Sequence, residues 1–317
     1  MIAMQKALVL IWSAAFFFLV SLVGAASAQD AIAVITELKF NRGDIQLRAT
    51  NGAAATKPAV LQSLYTGNVV QTTKDALAVI FYTDGSRVVT VDEKSPIFEA
   101  RASSAKDSAA GARVKEVANL LVGKKKPPTY VALSVRGKAQ PPTLLSPRNS
   151  AILSDSPIFH WTGTDQQPVT VKIFGQQGEI WSADNINLTK IAYPVTAPRL
   201  QADVEYGWSI ERKGVAASKT TFKLLGGLEA QAVKERLAEL GAMGRASKTT
   251  LAVLRANLLM SKQLFHEARD ILTEAISADS DEPTLHFVLG ELYDKIGLKN
   301  LATDEYNEAE YLAKAKP

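Results

Sequence analysis

The chain has 317 residues, a net charge of +4 and no cysteine, with 47% hydrophobic and 21% charged residues. Such a composition excludes a disordered chain, a collagen-like repeat and a many-span membrane protein, and at roughly 100–200 residues per domain the length predicts about two or three domains. The lack of cysteine excludes a disulfide framework, a thiolate zinc site, a cysteine nucleophile and a lipid-modified cysteine anchor, and the histidines (His160, His266, His286) are too few for a metal cluster built on them.

Residues 1–28 read as an address. Lys6 precedes an unbroken apolar run from Ala7 to Gly24, and Ala26-Ser27-Ala28 puts small residues where a signal peptidase reads. This predicts a secretory leader cleaved before Gln29. The run exceeds the roughly 7–15 residues usual for a leader and approaches the roughly 17–25 of a membrane span, so an uncleaved inner-membrane anchor is the alternative. Export of a cysteine-free chain suits a bacterial periplasm.

Residues 33–100 predict short strands at Ala33–Leu38, Asp44–Leu47, Val60–Leu64, Asn68–Thr72, Ala76–Tyr82 and Ser86–Val91. Turn residues separate them: Asn41-Arg42-Gly43, Asn51-Gly52, Tyr65-Thr66-Gly67 and Asp84-Gly85. Asp-Gly between two β-branched runs predicts a hairpin with both turn positions at positive φ. Short strands at this spacing predict a compact all-β unit.

Residues 101–142 break the pattern as a basic linker. Nine basic residues against Asp107 and Glu116 give it a net +7, so the whole-chain charge is concentrated there. Ala112–Val122 predicts one short amphipathic helix, and Lys124-Lys125-Lys126-Pro127-Pro128 follows. Lys124, Lys125 and Lys126 are the candidates for contact with an anionic lipid or polysaccharide surface, at about 1 kcal/mol per well-placed lysine.

Residues 143–224 return to strands, with Pro157–Trp161, Val169–Phe174, Glu179–Trp181 and Val204–Ile210. Alternation directs Trp161 and Trp208 inward and His160 outward to the surface. Residues 228–317 take on helical period, and two stretches of 34 residues align there from Thr249 and Pro283. Small residues recur at Ala256 and Gly290, Ala268 and Ala302, Ala275 and Ala309, with Leu259 matching Tyr293 and Leu272 matching Tyr306. A small residue lets two helices approach to about 8–10 Å while a large one fills the adjacent gap. Glu229–Leu240 predicts a capping helix.

These segments resemble known families. The small–large pattern at Leu289, Gly290, Tyr293, Ala302, Tyr306 and Ala309 resembles the tetratricopeptide repeat, from which the first stretch departs at Arg255 and Gln263. Gly43-Asp44, Leu64–Thr72 and Phe81–Ser86 resemble the FecR-type domain of bacterial envelope proteins, which implies signalling or envelope-binding roles without a catalytic centre. No segment precedes the leader, which argues against direct control of a sigma factor. Leu145-Ser146-Pro147, Pro157–Trp161 and Tyr206–Ile210 resemble an immunoglobulin or fibronectin-like sandwich. The expected fold is thus multidomain: an all-β FecR-like domain, an Ig-like β-sandwich and an α-helical tetratricopeptide-like C-terminal domain.

Phosphate-loop, dinucleotide and zinc-protease spacings are absent, and no nucleophile–base pair is adjacent in sequence. Asp84 and Ser86 read as hairpin residues. The expectation is a non-enzymatic periplasmic scaffold or sensor with envelope protein partners, no cofactor, no metal and no nucleic acid. The concave helical face is the expected partner site, with Asn257, Tyr293 and Asn307 as exposed contributors. The alternative is a module that binds peptidoglycan or exopolysaccharide.

Overall fold

The computed structural model describes residues 30–50, 54–102, 109–124, 141–163, 167–244 and 246–314. The leader, Lys125 and Lys126, and the Asn51-Gly52 turn lie outside them.

Seven strands form the first β region: β1 (Ala33–Lys39), β2 (Ile45–Arg48), β3 (Ser63–Leu64), β4 (Val69–Thr72), β5 (Leu77–Tyr82), β6 (Val88–Val91) and β7 (Ile97–Glu99). They make a sheet ordered β3-β1-β5-β6 and a smaller one ordered β2-β4-β7. Ala33, Ile35, Leu38, Ile80, Tyr82 and Phe98 fill the space between the two. Strands β1 and β5 are buried on both faces, which explains their near-continuous apolar sequences AVITELK and LAVIFY. The second face of the larger sheet, carrying Val34 and Phe81, joins the core of the helical region.

The hairpin between β5 and β6 forms as expected, but its turn differs. Tyr82 N donates to Arg87 O at 3.1 Å, so the loop spans Thr83–Ser86, and Gly85 alone reaches positive φ, at 70°. The Asp84 carboxylate accepts the Ser86 N–H at 2.8 Å. A Cβ on Gly85 would sit 2.5 Å from Val114 of helix α1 (Ala109–Asn119), which packs over the turn.

The second β region comprises β8 (Thr143–Ser146), β9 (Ser150–Ile152), β10 (Ile158–Thr162), β11 (Val169–Gly175), β12 (Gly178–Ile186), β13 (Lys190–Ala192), β14 (Glu205–Arg212) and β15 (Val215–Leu224). A sheet ordered β13-β10-β8 and one ordered β12-β11-β14-β15-β9 share one core. Trp161 and Trp208 are each 1% exposed there, as alternation predicts. Phe159 meets Trp208 with ring centroids 5.0 Å apart and Phe222 at 5.6 Å.

Five helices complete the chain: α2 (Gly227–Gly241), α3 (Lys248–Ser261), α4 (Phe265–Ala278), α5 (Pro283–Lys295) and α6 (Lys299–Leu312). Ser247 caps α3 by accepting the Thr250 N–H at 2.9 Å, and Pro283 opens α5 where a missing N–H costs nothing. Gln263 (φ 59°) and Gly297 (φ 80°), thirty-four residues apart, hold the same left-handed turn before α4 and before α6. The second helix pair meets across Gly290, where a Cβ would lie 2.7 Å from the Tyr306 ring. At the first departure from the repeat pattern, the Arg255 guanidinium occupies the space left by Gly241, 2.6 Å from where a Cβ would stand. Residues Ala31–Pro317 form one compact unit, because the helical core also takes in Val34, Leu61 and Phe81 of the first β region and Val117 to Leu121 of the linker.

Candidate functional site

The 34-residue period places Thr250 and Thr284, Val253 and Phe287, and Asn257 and Glu291 at matching positions on α3 and α5. This shared face is covered by the chain itself. At one end, a bulge between Ile35 and Glu37 turns two polar residues of β1 towards the helices. The Glu37 carboxylate accepts the Ser247 hydroxyl and, at 2.6 Å, the Thr250 hydroxyl. Thr36 Oγ1 lies 2.9 Å from Thr250 Oγ1. Leu38 N donates to Glu282 Oε1 at 3.1 Å, and Lys39 pairs with Asp279 at 2.5 Å. Burial pushes Glu282 up to about 8 despite these donors, and the Glu37 charge adds to the shift. Its second carboxylate oxygen is buried without a partner, an environment that suits a protonated acid.

At the other end lies the linker. Helix α1 tightens after Asn119 through bonds such as Leu121 N to Ala118 O at 2.9 Å. Val117, Ala118 and Leu121 are buried in the same cluster as Val253 and Phe287. Lys124 Nζ then donates to Asn257 Oδ1 at 2.7 Å and to the Glu291 carboxylate. The Lys124 side chain is only 12% exposed. Its pKa is lowered by burial, against the pull of Glu291. Gly123 N donates to Ser63 Oγ of β3 at 3.0 Å, and Arg236 of α2 pairs with Glu116 at 2.7 Å.

A groove of about 610 Å³ opens beside Lys124, where α5 and α6 meet the loop before β3. Phe287, Tyr306, Val60 and Tyr65 give it an aromatic and aliphatic lining, with Gln62 and Lys124 as polar points. That size and lining fall in the range of ligand and peptide sites.

These observations correct several expectations. Asn257 and Tyr293 are buried, 4% and 6% exposed, and only Asn307 stands exposed on its helix. Asn257 spends its amide on Val253 O at 2.8 Å and its carbonyl on Lys124. Tyr293 turns to Arg269 on α4, and burial raises its pKa. The three residues therefore have separate surroundings. Lys124 faces the helices and Glu291 and is enclosed there, away from any anionic surface. His160 is half-buried beside α4 because the helical region covers that face of β10; burial and the Arg269 charge push it down to about 4.

A second polar junction ties β8 and β9 to α4. His266 Nδ1 and Ser146 Oγ lie 2.6 Å apart, and Asp270 Oδ2 is 3.8 Å from His266 Nε2. The arrangement resembles a nucleophile–base pair, but Ser146 is 2% and His266 6% exposed, so it bridges two elements inside the protein. Burial pushes His266 down to about 4 and Glu267, which accepts Leu153 N, up to about 7. Arg148 Nε donates to Ile296 O at 2.9 Å. Elsewhere, His286 pairs with Glu305 at 2.7 Å; burial opposes its charged form, yet Glu305 and Ser280 O hold its pKa above the usual value.

Sequence reasoning missed Glu37, Glu282, Glu291 and the pairing role of Lys124. Two signals bear on them: a carboxylate inside the apolar run of β1, and the 34-residue spacing of Thr250 with Thr284 and of Asn257 with Glu291. Among the described residues there is no group of three or more metal-ligating side chains, and no helix is long and apolar enough to cross a membrane. No family model matches the chain, and no curated protein matches it.

Proposed function

We propose that this chain is a non-catalytic scaffold or sensor of the bacterial cell envelope that holds a protein partner against its helical region. The observation that carries this reading is the groove of about 610 Å³ between α5, α6 and the loop before β3, beside the end of the α3/α5 face that Lys124 covers. Its aromatic walls offer large apolar area at low entropic cost, the property of protein-contact anchors. The paired helices with matched small and large residues support a tetratricopeptide-like reading, in which this face is concave and receives partners. The Gly43, Thr66-Gly67 and Asp84-Gly85-Ser86 turns support the FecR-like reading of the first β region, and the two-sheet core around Trp161 and Trp208 supports the Ig-like reading of the second. The apolar leader with its Ala-Ser-Ala site supports export. The alternative glycan reading gains nothing from Trp161 and Trp208, which are interior and out of reach of a sugar ring.

A photo-crosslinking residue at Ala59, which lines the groove and is exposed, tests the reading in envelope preparations. The expected result is a discrete protein adduct that is absent when the same residue replaces exposed Asn307. Binding to purified sacculi, with no adduct specific to Ala59, overturns it in favour of the glycan module.

A further inference from the structure

We propose that the α3/α5 face is a receptor site for lysine-bearing aliphatic segments, which this chain fills with its own Val117–Lys124 segment and which a partner engages by displacing that segment. The inference rests on the partner-binding reading above and names the chemistry of the partner.

Three features of the segment carry it. The first is economy of contact. From Val114 to Lys124, the side chains of Val117, Ala118, Leu121 and Lys124 enter the helical face, while Lys115, Glu116 and Asn119 are exposed and Leu120 is 36% exposed. Val117 and Ala118 come from the last turn of α1 and Leu121 from the tight turn after it, and Gly123, at φ 73°, then redirects the chain so that Lys124 reaches Asn257 and Glu291. The second is the composition of the site. Asn257 and Glu291 occupy the same place in successive repeats and converge on one ammonium group. Two polar groups at repeat-equivalent positions, flanked by Val253 and Phe287, read a lysine next to aliphatic side chains.

The third is the choice of a charge where stability alone favours an apolar residue. Burial lowers the Lys124 pKa, so the ammonium is held at a desolvation cost. Well-packed apolar pairs commonly match or exceed buried ion pairs in stability, whereas a buried pair discriminates strongly between partners. Tethering gives a cis ligand an effective concentration in the millimolar range, and it lowers the apparent affinity for a trans ligand by the fraction of time the site is open.

The test uses the full chain and, as probe, a fluorescein-labelled synthetic peptide of residues 114–124 (VKEVANLLVGK). The double variant Leu121→Ala/Lys124→Ala weakens the cis segment. It is expected to bind the probe at least about tenfold more tightly than the unaltered chain in fluorescence anisotropy. Glu291→Lys in that background is expected to abolish binding, and a probe with Glu in place of its terminal Lys is expected to restore it. Absence of binding by the folded double variant, or binding indifferent to Glu291→Lys, overturns the proposal. Should the double variant fail to fold, hydrogen exchange on the unaltered chain decides. Exchange of residues 114–124 while α3 and α5 remain protected supports a displaceable segment, and exchange only together with α3 overturns it. A protein adduct at Ala59 combined with failure of the peptide test rejects this inference and leaves the scaffold reading standing.

Discussion

Glu282 makes the junction between β1 and the helices sensitive to alkaline pH. Its carboxyl is buried, accepts Leu38 N and Thr284 N, and is held up to about 8 against an ordinary value of 4.5. A raised carboxyl favours the protonated native state, so its stabilising contribution is complete below about pH 4.5 and is lost as pH rises through 8. Between pH 7 and 9 the native group ionises by about one pK unit's worth of free energy relative to the unfolded chain, about 1.4 kcal/mol. Glu267, held up to about 7, adds a few tenths in the same direction. Urea denaturation of the unaltered chain at pH 7 and pH 9 is expected to show a fall of about 2 kcal/mol in unfolding free energy. Glu282→Gln keeps an acceptor for both N–H groups and carries no charge, so it is expected to show less than half that fall. An unaltered chain whose stability is flat between the two pH values, or a Gln variant that loses as much, refutes the account.

Further outcomes follow from the same geometry. His160 and His266, both held down near 4, contribute stability that is present above about pH 6.5 and lost as pH falls towards 4; set against the opposite slope of Glu282 and Glu267, unfolding free energy is expected to peak near pH 5–6 in a urea series. Gly290→Ala gains helix propensity but drives a methyl into the Tyr306 ring; a net loss of about 1–2 kcal/mol by chemical denaturation is expected, and a gain contradicts the close packing of α5 on α6. Gln263→Gly relieves a left-handed side-chain-bearing residue whose backbone carbonyl still accepts Ala151 N, and is expected to raise stability by about 0.5–1 kcal/mol. Lys124→Met leaves the Glu291 carboxylate in an enclosed site and is expected to cost about 1–3 kcal/mol, most of it recovered in Lys124→Met/Glu291→Met; additive single effects in that cycle contradict a direct pair.

Features set by neighbours in sequence were legible. Alternation placed Trp161 and Trp208 in the core, and Asp84-Gly85 marked the hairpin, although the four-residue loop depends on the Tyr82–Arg87 bond that no dipeptide encodes. Period and small residues located α3 to α6. The reading failed where burial comes from a distant element. His160 alternates outward from its own sheet core, yet α4 covers that side. Asn257 sits on the helix face that solvent would wet in an isolated repeat, and Lys124, 133 residues away, covers it. A basic residue in a small polar tract carries no local sign that a carboxylate awaits it. Glu37 shows the converse: a charge in a strand buried on both faces signals a polar partner without naming it, and the partner, Thr250, lies 213 residues on.

The double burial of β1 also bears on the order in which the molecule is made. Its neighbours β3 and β5 and the facing sheet, as far as Phe98, follow within the next sixty or so residues, but Thr36 waits for Thr250, 214 positions downstream. At about 5–20 residues per second, synthesis leaves roughly 10–40 s between the two. Throughout that interval the sheet face bearing Val34 and Phe81 lacks α3 and α5, which leaves apolar surface open to association with other chains. The chain therefore depends on being kept from early association until its last helices exist, and a fragment ending at residue 100 is expected to aggregate where the full chain stays monodisperse.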